Sequence, residues 1–187
     1  MAPVPEPPIK SEEHWSDPEL QKSKGNWYGY TKTTTEKFFQ KHAEANGKYR
    51  FAAICPTGVF GPMLQPTVNA TMGWVLGLYK NGKDKAANDS MSFIDVRDCA
   101  AHHVAALENP EATGRYMSLV ESLHWNDIFV MMKELHPGMP DVPKSDGEPI
   151  TPTQFDLTKM KSLGVEVRSV REVLQGCLEE FKAKGLL

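Results

Sequence analysis

The sequence predicts an α/β fold in which helices pack around a few parallel strands and the sheet is incomplete on one edge. Two observations indicate this class. Residues 28–46 and 95–108 carry apolar residues at helical spacing, whereas residues 49–55, 91–94 and 114–120 are short segments with strand character. The two kinds of segment alternate along the chain, which is typical of parallel α/β sheets.

The composition excludes several classes of partner. Lys plus Arg number 21 and Asp plus Glu number 24 in 187 residues, so the net charge of −3 gives no support for nucleic acid or an anionic membrane. Cys55, Cys99 and Cys177 are widely spaced and form neither a disulfide framework nor a zinc pattern, which favours a reducing, cytoplasmic compartment. The longest run without charge or strong polarity, residues 70–79, is too short to span a bilayer, and no signal peptide is visible. We therefore expect no metal, nucleic acid or membrane as a partner.

The start of the chain differs in character from the rest. In residues 1–24, closely spaced prolines favour an extended start: Pro3, Pro5, Pro7 and Pro8. Charged residues follow, with Trp15 among them. The segment is either an extended surface segment on which Trp15 docks or a disordered tail. Residues 25–187 are the globular part.

The first long helix is predicted over residues 28–46 and ends at Asn46-Gly47. Lys32 and Glu36 lie four positions apart and are expected to pair on its flank. Residues at helical spacing predict its buried stripe, in which His42 packs and is not a ligand: Thr34, Thr35, Phe38, Phe39, His42 and Ala45.

A buried strand over residues 49–55 is followed by a proline-glycine loop at residues 56–62. Ligands of α/β sheets bind at the carboxyl ends of the strands, which is where this loop lies. Gly58 and Gly61 allow a backbone to approach a ligand closely. An ordinary turn is the alternative interpretation.

The middle of the chain predicts a helix over residues 67–80, a loop over 83–90 and a strand over 91–94. Asp95 caps the next helix. We expect His102 at the rim of that helix and no metal pair with its neighbour, because adjacent helical residues diverge by about 100°. The predicted inner face comprises Cys99, Ala100, His103, Val104 and Leu107.

The last part of the chain predicts a strand over residues 114–120, a helix from Trp125 and a loop over 139–153. A short helix near Met160 comes next. Ser169 and Glu172 form a capping box at the start of the final helix. Its apolar face comprises Val170, Val173, Leu174, Cys177, Leu178 and Phe181.

Tyr28 and Lys32 are the candidate catalytic residues. They lie four positions apart on a helix, so their side chains can point at the same spot. A nearby ammonium favours the phenolate form, which suits a tyrosine for proton transfer near neutral pH. That acid or base is what hydride transfer between a nicotinamide and a carbonyl needs. Because Tyr-x-x-x-Lys alone is a weak pattern, a surface helix with a solvated lysine is the alternative.

Four motifs occur in an order that resembles the extended short-chain dehydrogenase/reductase superfamily. The motifs are WYGYTK (27–32), PTGVFGP (56–62), LQPTVNA (64–70) and FIDVRD (93–98). Together they are specific, and they look most like the cinnamoyl-CoA reductase and dihydroflavonol 4-reductase group. The resemblance runs from about Trp15 to the C-terminus.

The resemblance implies a partial Rossmann-like parallel sheet with helices on both sides and a small α/β substrate-binding lobe. It implies an NADP(NADPH)-dependent oxidoreductase that reduces an aldehyde, ketone or thioester. Tyr28 would donate the proton and Lys32 would hold the nicotinamide ribose. The loop that would receive the nicotinamide amide comprises Pro56, Thr57, Gly58 and Val59. The residues that would face the substrate include Gln65, Asn69 and Ser92.

The sequence also departs from that family. It contains no Gly-x-x-Gly-x-x-Gly motif, and the family's catalytic serine or threonine has no counterpart in a strand ahead of Tyr28, since Ser11, Ser16 and Ser23 lack that context. Ser92 stands where dihydroflavonol reductases carry a substrate-contacting glutamine, which argues against a flavonoid substrate.

Two functions follow from these departures. The chain is the C-terminal, substrate-binding part of an NADP-dependent reductase, or it is a non-catalytic structural or interaction subunit derived from one. In both cases we expect self-association or a partner chain that supplies the nucleotide-binding half. We also expect weak or no NADPH binding by this chain alone.

Overall fold

The computed structural model describes residues 7–187, so the predicted extended conformation at Pro3 and Pro5 lies outside the described residues. The elements, in chain order, are β1 (Ile9–Lys10), α1 (Pro18–Ser23), α2 (Trp27–Asn46), β2 (Ala52–Pro56), β3 (Gly58–Phe60), α3 (Ala70–Asn81), β4 (Ser90–Asp95), α4 (Val96–Glu108), β5 (Gly114–Ser118), β6 (Ser122–His124), α5 (Trp125–Leu135), β7 (Gln154–Phe155), α6 (Thr158–Lys161) and α7 (Val170–Ala183).

The strands confirm the predicted α/β class. β2 pairs in parallel with β5, from Ala52 opposite Gly114 to Pro56 opposite Ser118. β3 is parallel to β4, and β6 is antiparallel to β4. β1 and β7 form a further parallel pair. The sequence does not predict β1, β3, β6 or β7, because strands of two or three residues depend on their distant pairing partners and carry little pattern of their own.

Helices cover both faces of the β2–β5 pair. On one face, Cys55 and Arg115 contact Glu36 of α2. On the other face, Ser118 bonds to His102 of α4, and Tyr116 packs against Ala106. This arrangement follows from the strand period of two, which sends successive side chains to opposite faces.

The main core is formed by α3, α5 and α7 around β3 and β4. The final helix matches its prediction, since the capping box of Ser169 and Glu172 is present. All six residues of its predicted face are buried: Val170, Val173, Leu174, Cys177, Leu178 and Phe181. Its strong amphipathic pattern contains no polar residue on the buried side, so the sequence alone identifies the face.

The predicted inner face of α4 is correct at Cys99 and wrong at its other residues. His102 is fully buried, whereas Leu107 is 75% exposed and Val104 is 52% exposed. Besides Cys99, the helix buries Asp98, His102 and Ala106. Asp98 and His102 are buried because each has a partner: Arg168 binds the carboxylate, and Ser118 bonds to the imidazole.

The predicted buried stripe of α2 is also wrong. Phe38 is 63% exposed and Phe39 is 50% exposed, and the buried residues of the helix are Thr33 and Ala43. Helical spacing correctly groups the aromatic residues, but nothing in the described chain covers them. Glu36 pairs with Arg115 and not with the predicted Lys32.

Candidate active site

The candidate catalytic pair lies at the start of α2. The side chain of Asn26 accepts a hydrogen bond from the backbone N–H of Gly29 at 2.9 Å and caps the helix there. Tyr28 is 76% exposed. The Nζ atom of Lys32 lies 5.6 Å from the centre of the Tyr28 ring. The structure therefore brings the two predicted residues together on one solvent-facing side of the helix.

Close packing of α1 fixes the first turn of α2. A Cβ atom on Gly29 would lie 2.7 Å from Nε2 of Gln21, a separation that real side chains do not show. Gln21 of α1 is 2% exposed. Glycine at position 29 leaves room for the buried Gln21 side chain of α1 beside the first turn of α2.

Arg115 of β5 ties this helix to the sheet. Its Nε donates to Oε1 of Glu36 at 2.7 Å, and its Nη1 donates to the carbonyl oxygens of Glu12 and His14 at 2.7 and 2.9 Å. The guanidinium carbon lies 4.1 Å from the centre of the Trp15 ring. One side chain thus joins α2, β5 and the N-terminal segment. The sequence does not single out Arg115, because its partners are distant in the chain.

The neighbouring thiol is not a nucleophile at neutral pH. The sulfhydryl of Cys55 donates to Oε1 of Glu36 at 3.6 Å. Burial first, and then the negative charge of Glu36, raise the pKa of Cys55 to about 11.

The predicted nicotinamide loop lies at the carboxyl ends of β2 and β5. The N–H of Thr57 donates to the carbonyl oxygen of Ser118 at 3.3 Å. The hydroxyl oxygen of Thr57 is buried and has no hydrogen-bond partner among residues 7–187. Buried hydroxyls normally have one, so Thr57 is an exception within the described residues.

Packing and backbone conformation within the chain explain the two glycines of this loop. A Cβ atom on Gly58 would lie 2.5 Å from the Phe60 ring and 2.7 Å from Cε of Met91. Gly61 has a φ of +123° and lies against the carboxylate of Asp95. Packing therefore explains both glycines without a ligand.

The predicted substrate-facing residues lie on a separate part of the molecule from β2. Asn69 accepts from the N–H of Met72 at 2.9 Å and caps α3. The hydroxyl of Ser92 lies 3.1 Å from that of Ser122 on the neighbouring strand β6. Gln65 is half-buried in the segment that precedes α3. Asn69 and Ser92 thus already make hydrogen bonds within the chain.

Two polar groups are buried close to α4: Asp95, which caps its start, and His102, which contacts β5. Burial alone would raise the pKa of Asp95, but hydrogen bonds and charge from Arg97, whose Nε and Nη2 both lie 2.8 Å from the carboxylate, lower it. Burial lowers the pKa of His102, which favours a neutral ring bonded through Nδ1 to Ser118 at 2.8 Å. The sequence predicts neither group as buried.

The described part of the chain gives no sign of a metal centre or a membrane span. Across residues 7–187, no three His, Cys, Asp or Glu side chains come together as metal ligands. None of the helices in that range is both long enough and apolar enough to cross a bilayer.

The α/β fold described above is that of the extended short-chain dehydrogenase/reductase superfamily. The model of the NAD dependent epimerase/dehydratase family matches residues 2–119. The chain belongs to this family, which confirms the resemblance seen in its motifs.

Curated relatives are reductases that are longer than this chain. Tetraketide alpha-pyrone reductase 2 of Arabidopsis thaliana is 33% identical over 180 residues, which are 95% of this chain and 56% of the relative. Cinnamoyl-CoA reductase 1 of Petunia hybrida is 32% identical over 96% of this chain and 54% of its own length. The chain therefore spans about half the length of the curated relatives it matches.

Solved structures agree on the fold. Vestitone reductase from alfalfa superposes with a TM-score of 0.81 at 19% identity, over 96% of this chain and 60% of that protein. Yeast methylglyoxal/isovaleraldehyde reductase Gre2, complexed with NADPH, has a TM-score of 0.72 at 24% identity, over 95% and 58% of the two chains.

Proposed function

We propose that this chain is the catalytic and substrate-binding part of an NADP-dependent reductase that acts on an aldehyde, ketone or thioester carbonyl. The observation that carries the proposal is the pairing of Tyr28 with Lys32 on an exposed face at the start of α2. The relatives that match the chain along nearly its whole length are reductases.

In this proposal, Tyr28 donates a proton to the carbonyl oxygen of the substrate. Bound NADPH supplies the hydride. Lys32 holds the hydroxyl groups of the nicotinamide ribose, and its positive charge stabilises the negative charge that develops on the Tyr28 oxygen. Arg115 keeps α2 against β5 through Glu36, so that the pair stays in place while substrate binds.

The chain's own residues fit the nicotinamide end of the cofactor. The backbone of Pro56, Thr57, Gly58 and Val59 would receive the carboxamide. Gln65, Asn69 and Ser92 would face the substrate. Ser92, whose hydroxyl lies beside that of Ser122, stands where dihydroflavonol reductases carry a substrate-contacting glutamine, so a flavonoid substrate is unfavourable in this proposal.

The phosphate end of the cofactor has no equivalent support in this sequence. In dinucleotide-binding folds, the pyrophosphate rests on a glycine-rich turn and a helix N-terminus. A few hydrogen bonds at about 1 kcal/mol each do not offset the several kcal/mol that immobilising such a ligand costs. We therefore expect NADPH titrated into this chain alone to give no heat and no fluorescence change at micromolar concentration. A low-micromolar dissociation constant would place a phosphate site in these residues.

The test of function is carbonyl reduction by this chain fused behind the unmatched part of Petunia hybrida cinnamoyl-CoA reductase 1. Tyr28→Phe should lower kcat by about 10²- to 10⁴-fold and leave NADPH affinity and the urea midpoint unchanged, since it removes only the transferable proton. Tyr30→Phe, in the same helix, is the matched control and should retain turnover. Equal turnover of the Tyr28→Phe and unsubstituted proteins would remove Tyr28 from the acid role.

Lys32→Ala should both raise the KM for NADPH and lower kcat, because it loses the ribose contact and the charge beside Tyr28. Lys41→Ala, an exposed lysine of the same helix, should change neither constant.

A second candidate is a non-catalytic interaction subunit derived from such a reductase. The exposed aromatic face of α2 favours it, because large apolar surfaces often mark protein interfaces. Partner binding by a fused or mixed protein that never turns over a carbonyl would support this candidate.

A further inference from the structure

A buried histidine of α4 has no part in the chemistry proposed above. His102 is fully buried, and its Nδ1 lies 2.8 Å from the hydroxyl oxygen of Ser118, which is also fully buried. Within residues 7–187, the Nε2 atom of the same ring is buried without a hydrogen-bond partner. An apolar side chain would fill this place without burying a polar ring, so the bond to Ser118 is what distinguishes a histidine here.

Ser118 joins this histidine to the predicted nicotinamide loop at residues 56–59. It is the last residue of β5 and lies opposite Pro56, the last residue of β2. Its carbonyl oxygen accepts a hydrogen bond from the N–H of Thr57 at 3.3 Å. The side chain of Ser118 thus bonds to α4 while its backbone bonds to the loop. Two hydrogen bonds through one residue therefore connect His102 with Thr57.

The helix that carries His102 is itself held in place one turn earlier. Asp98 is 2% exposed, and its Oδ2 accepts from the backbone N–H of Arg168 at 2.8 Å. The guanidinium of Arg168 binds the same carboxylate. This part of α4 is therefore fixed to the segment before α7, which gives the imidazole of His102 a firm base from which to hold Ser118.

We propose that His102 is a positioning residue for hydride transfer: through Ser118 it holds residues 56–59 where their backbone receives the carboxamide of the nicotinamide. The pyrophosphate supplies much of the affinity in dinucleotide-binding folds, so His102 contributes to the orientation of the nicotinamide more than to NADPH binding. A small displacement of a reacting group lowers the rate of the chemical step strongly. This inference rests on the proposed function for its effect on turnover, and on geometry alone for the hold on the loop.

The first test measures hydrogen exchange of the Thr57 amide by NMR in this chain alone. His102→Leu removes the bond to Ser118 and should speed exchange at Thr57 about tenfold more than at residues 115–117 within β5. His102→Asn should keep exchange at Thr57 slow, because an asparagine amide can donate or accept near the position of Nδ1. The matched control is His103→Leu, because His103 is an exposed histidine whose ring bonds to the Cys99 carbonyl of its own helix. It should leave Thr57 unchanged.

Ser118→Ala tests the same bond from its other end and does not depend on how a leucine fits the buried site. It should speed exchange at Thr57 as much as His102→Leu does. In the double variant the two effects should not add, because each substitution removes the same hydrogen bond.

The second test measures turnover in the fused protein. His102→Leu and Ser118→Ala should each lower kcat about tenfold and leave the KM for NADPH within about twofold of its unsubstituted value. His102→Asn should restore most of the turnover. The stability control is Ala106→Gly, which weakens the same helix one turn further on, where Ala106 packs against Tyr116. It should lower the urea midpoint and leave kcat unchanged.

The outcomes separate the hold on the loop from the chemistry. Exchange at Thr57 that is equal in His102→Leu and in the His103→Leu control would overturn the hold on the loop. Faster exchange at Thr57 with an unchanged kcat would overturn the positioning role and leave the proposed function intact. Equal losses of kcat in His102→Leu, His102→Asn and Ala106→Gly would assign His102 to packing alone.

An unsubstituted fusion that reduces no carbonyl would contradict the proposed function and the positioning role together. The exchange measurement would still decide whether His102 holds the loop, because it needs neither NADPH nor turnover.

Discussion

Two regions of this molecule bury their apolar side chains to different extents. Within residues 7–187, the lobe around α3, α5 and α7 has a core of eighteen buried residues, whereas the β2–β5 pair with α4 has a cluster of three. The first lobe buries Phe181 completely, and α2 leaves Phe38 63% exposed. The same residue type thus has opposite environments in the two halves.

This difference shows where the described chain buries its own apolar surface and where it leaves that surface exposed. In the lobe, the apolar stripes of α3, α5 and α7 face one another, so each is buried by the others. In the sheet region, α2 and α4 cover β2 and β5, but the outer sides of these helices and the edge of β2 face solvent. Within residues 7–187, no other element covers the outer sides of these helices at Phe38 and Leu107.

The largest expected contrast is between two phenylalanine substitutions. Phe181→Ala should lower the free energy of unfolding by about 3–5 kcal/mol, the usual cost of a cavity in a packed core. Phe38→Ala should change it by less than about 0.5 kcal/mol, because an exposed side chain gains little from folding. Urea unfolding of this chain measures both values. Similar losses for the two variants would show that α2 is covered in solution.

A smaller contrast is expected between two ion pairs. Arg115→Met removes the partner of Glu36 and two carbonyl contacts, in side chains that are only 17% and 19% exposed. It should destabilise the chain by about 1–3 kcal/mol, since a half-buried carboxylate loses its partner. Lys85→Met breaks the exposed pair with Asp146 and should cost less than about 1 kcal/mol. If the two substitutions have equal effects by urea unfolding, Arg115 does not hold α2 to β5.

The smallest effect is a difference in reactivity between two cysteines, which is measured on the unsubstituted protein. Burial raises the pKa of Cys177 to about 12 and, with the charge of Glu36, that of Cys55 to about 11. A rise from 9.0 to about 11 lowers the thiolate fraction at pH 8 by about a hundredfold, so Cys55 should react slowly with iodoacetamide. Its rate should rise about tenfold per pH unit up to about pH 11, because only the thiolate attacks.

Cys177 is fully buried in the completed lobe and should react only after unfolding. Peptide mass spectrometry after timed labelling compares the two sites. Labelling of Cys177 at the rate of Cys55 would show that the lobe opens as readily as the sheet region.

The same division explains which predictions from the sequence are correct. The face of α7 is predicted residue by residue, because its stripe is wholly apolar and its partners are present in the chain. The face of α4 is predicted wrongly, because the burial of Asp98 and His102 depends on Arg168 and Ser118, which the local pattern does not reveal. For α2, the prediction that the aromatic residues share one face is correct, but the prediction that this face is buried is wrong. Helical spacing identifies a face but not what covers it.

At the candidate site, the sequence by itself determined that Tyr28 and Lys32 share one side of a helix, because residues four apart are neighbours on any α-helix. It also determined the helix stop at Gly47, which has the positive φ of 63° that glycine adopts readily. The tertiary structure alone decided that Arg115 reaches Glu36 and stacks on Trp15, since these residues meet only when β5, α2 and the N-terminal segment come together. It alone decided that the edge of β2 is open, because strand pairing is a long-range contact that depends on which other strands the chain contains.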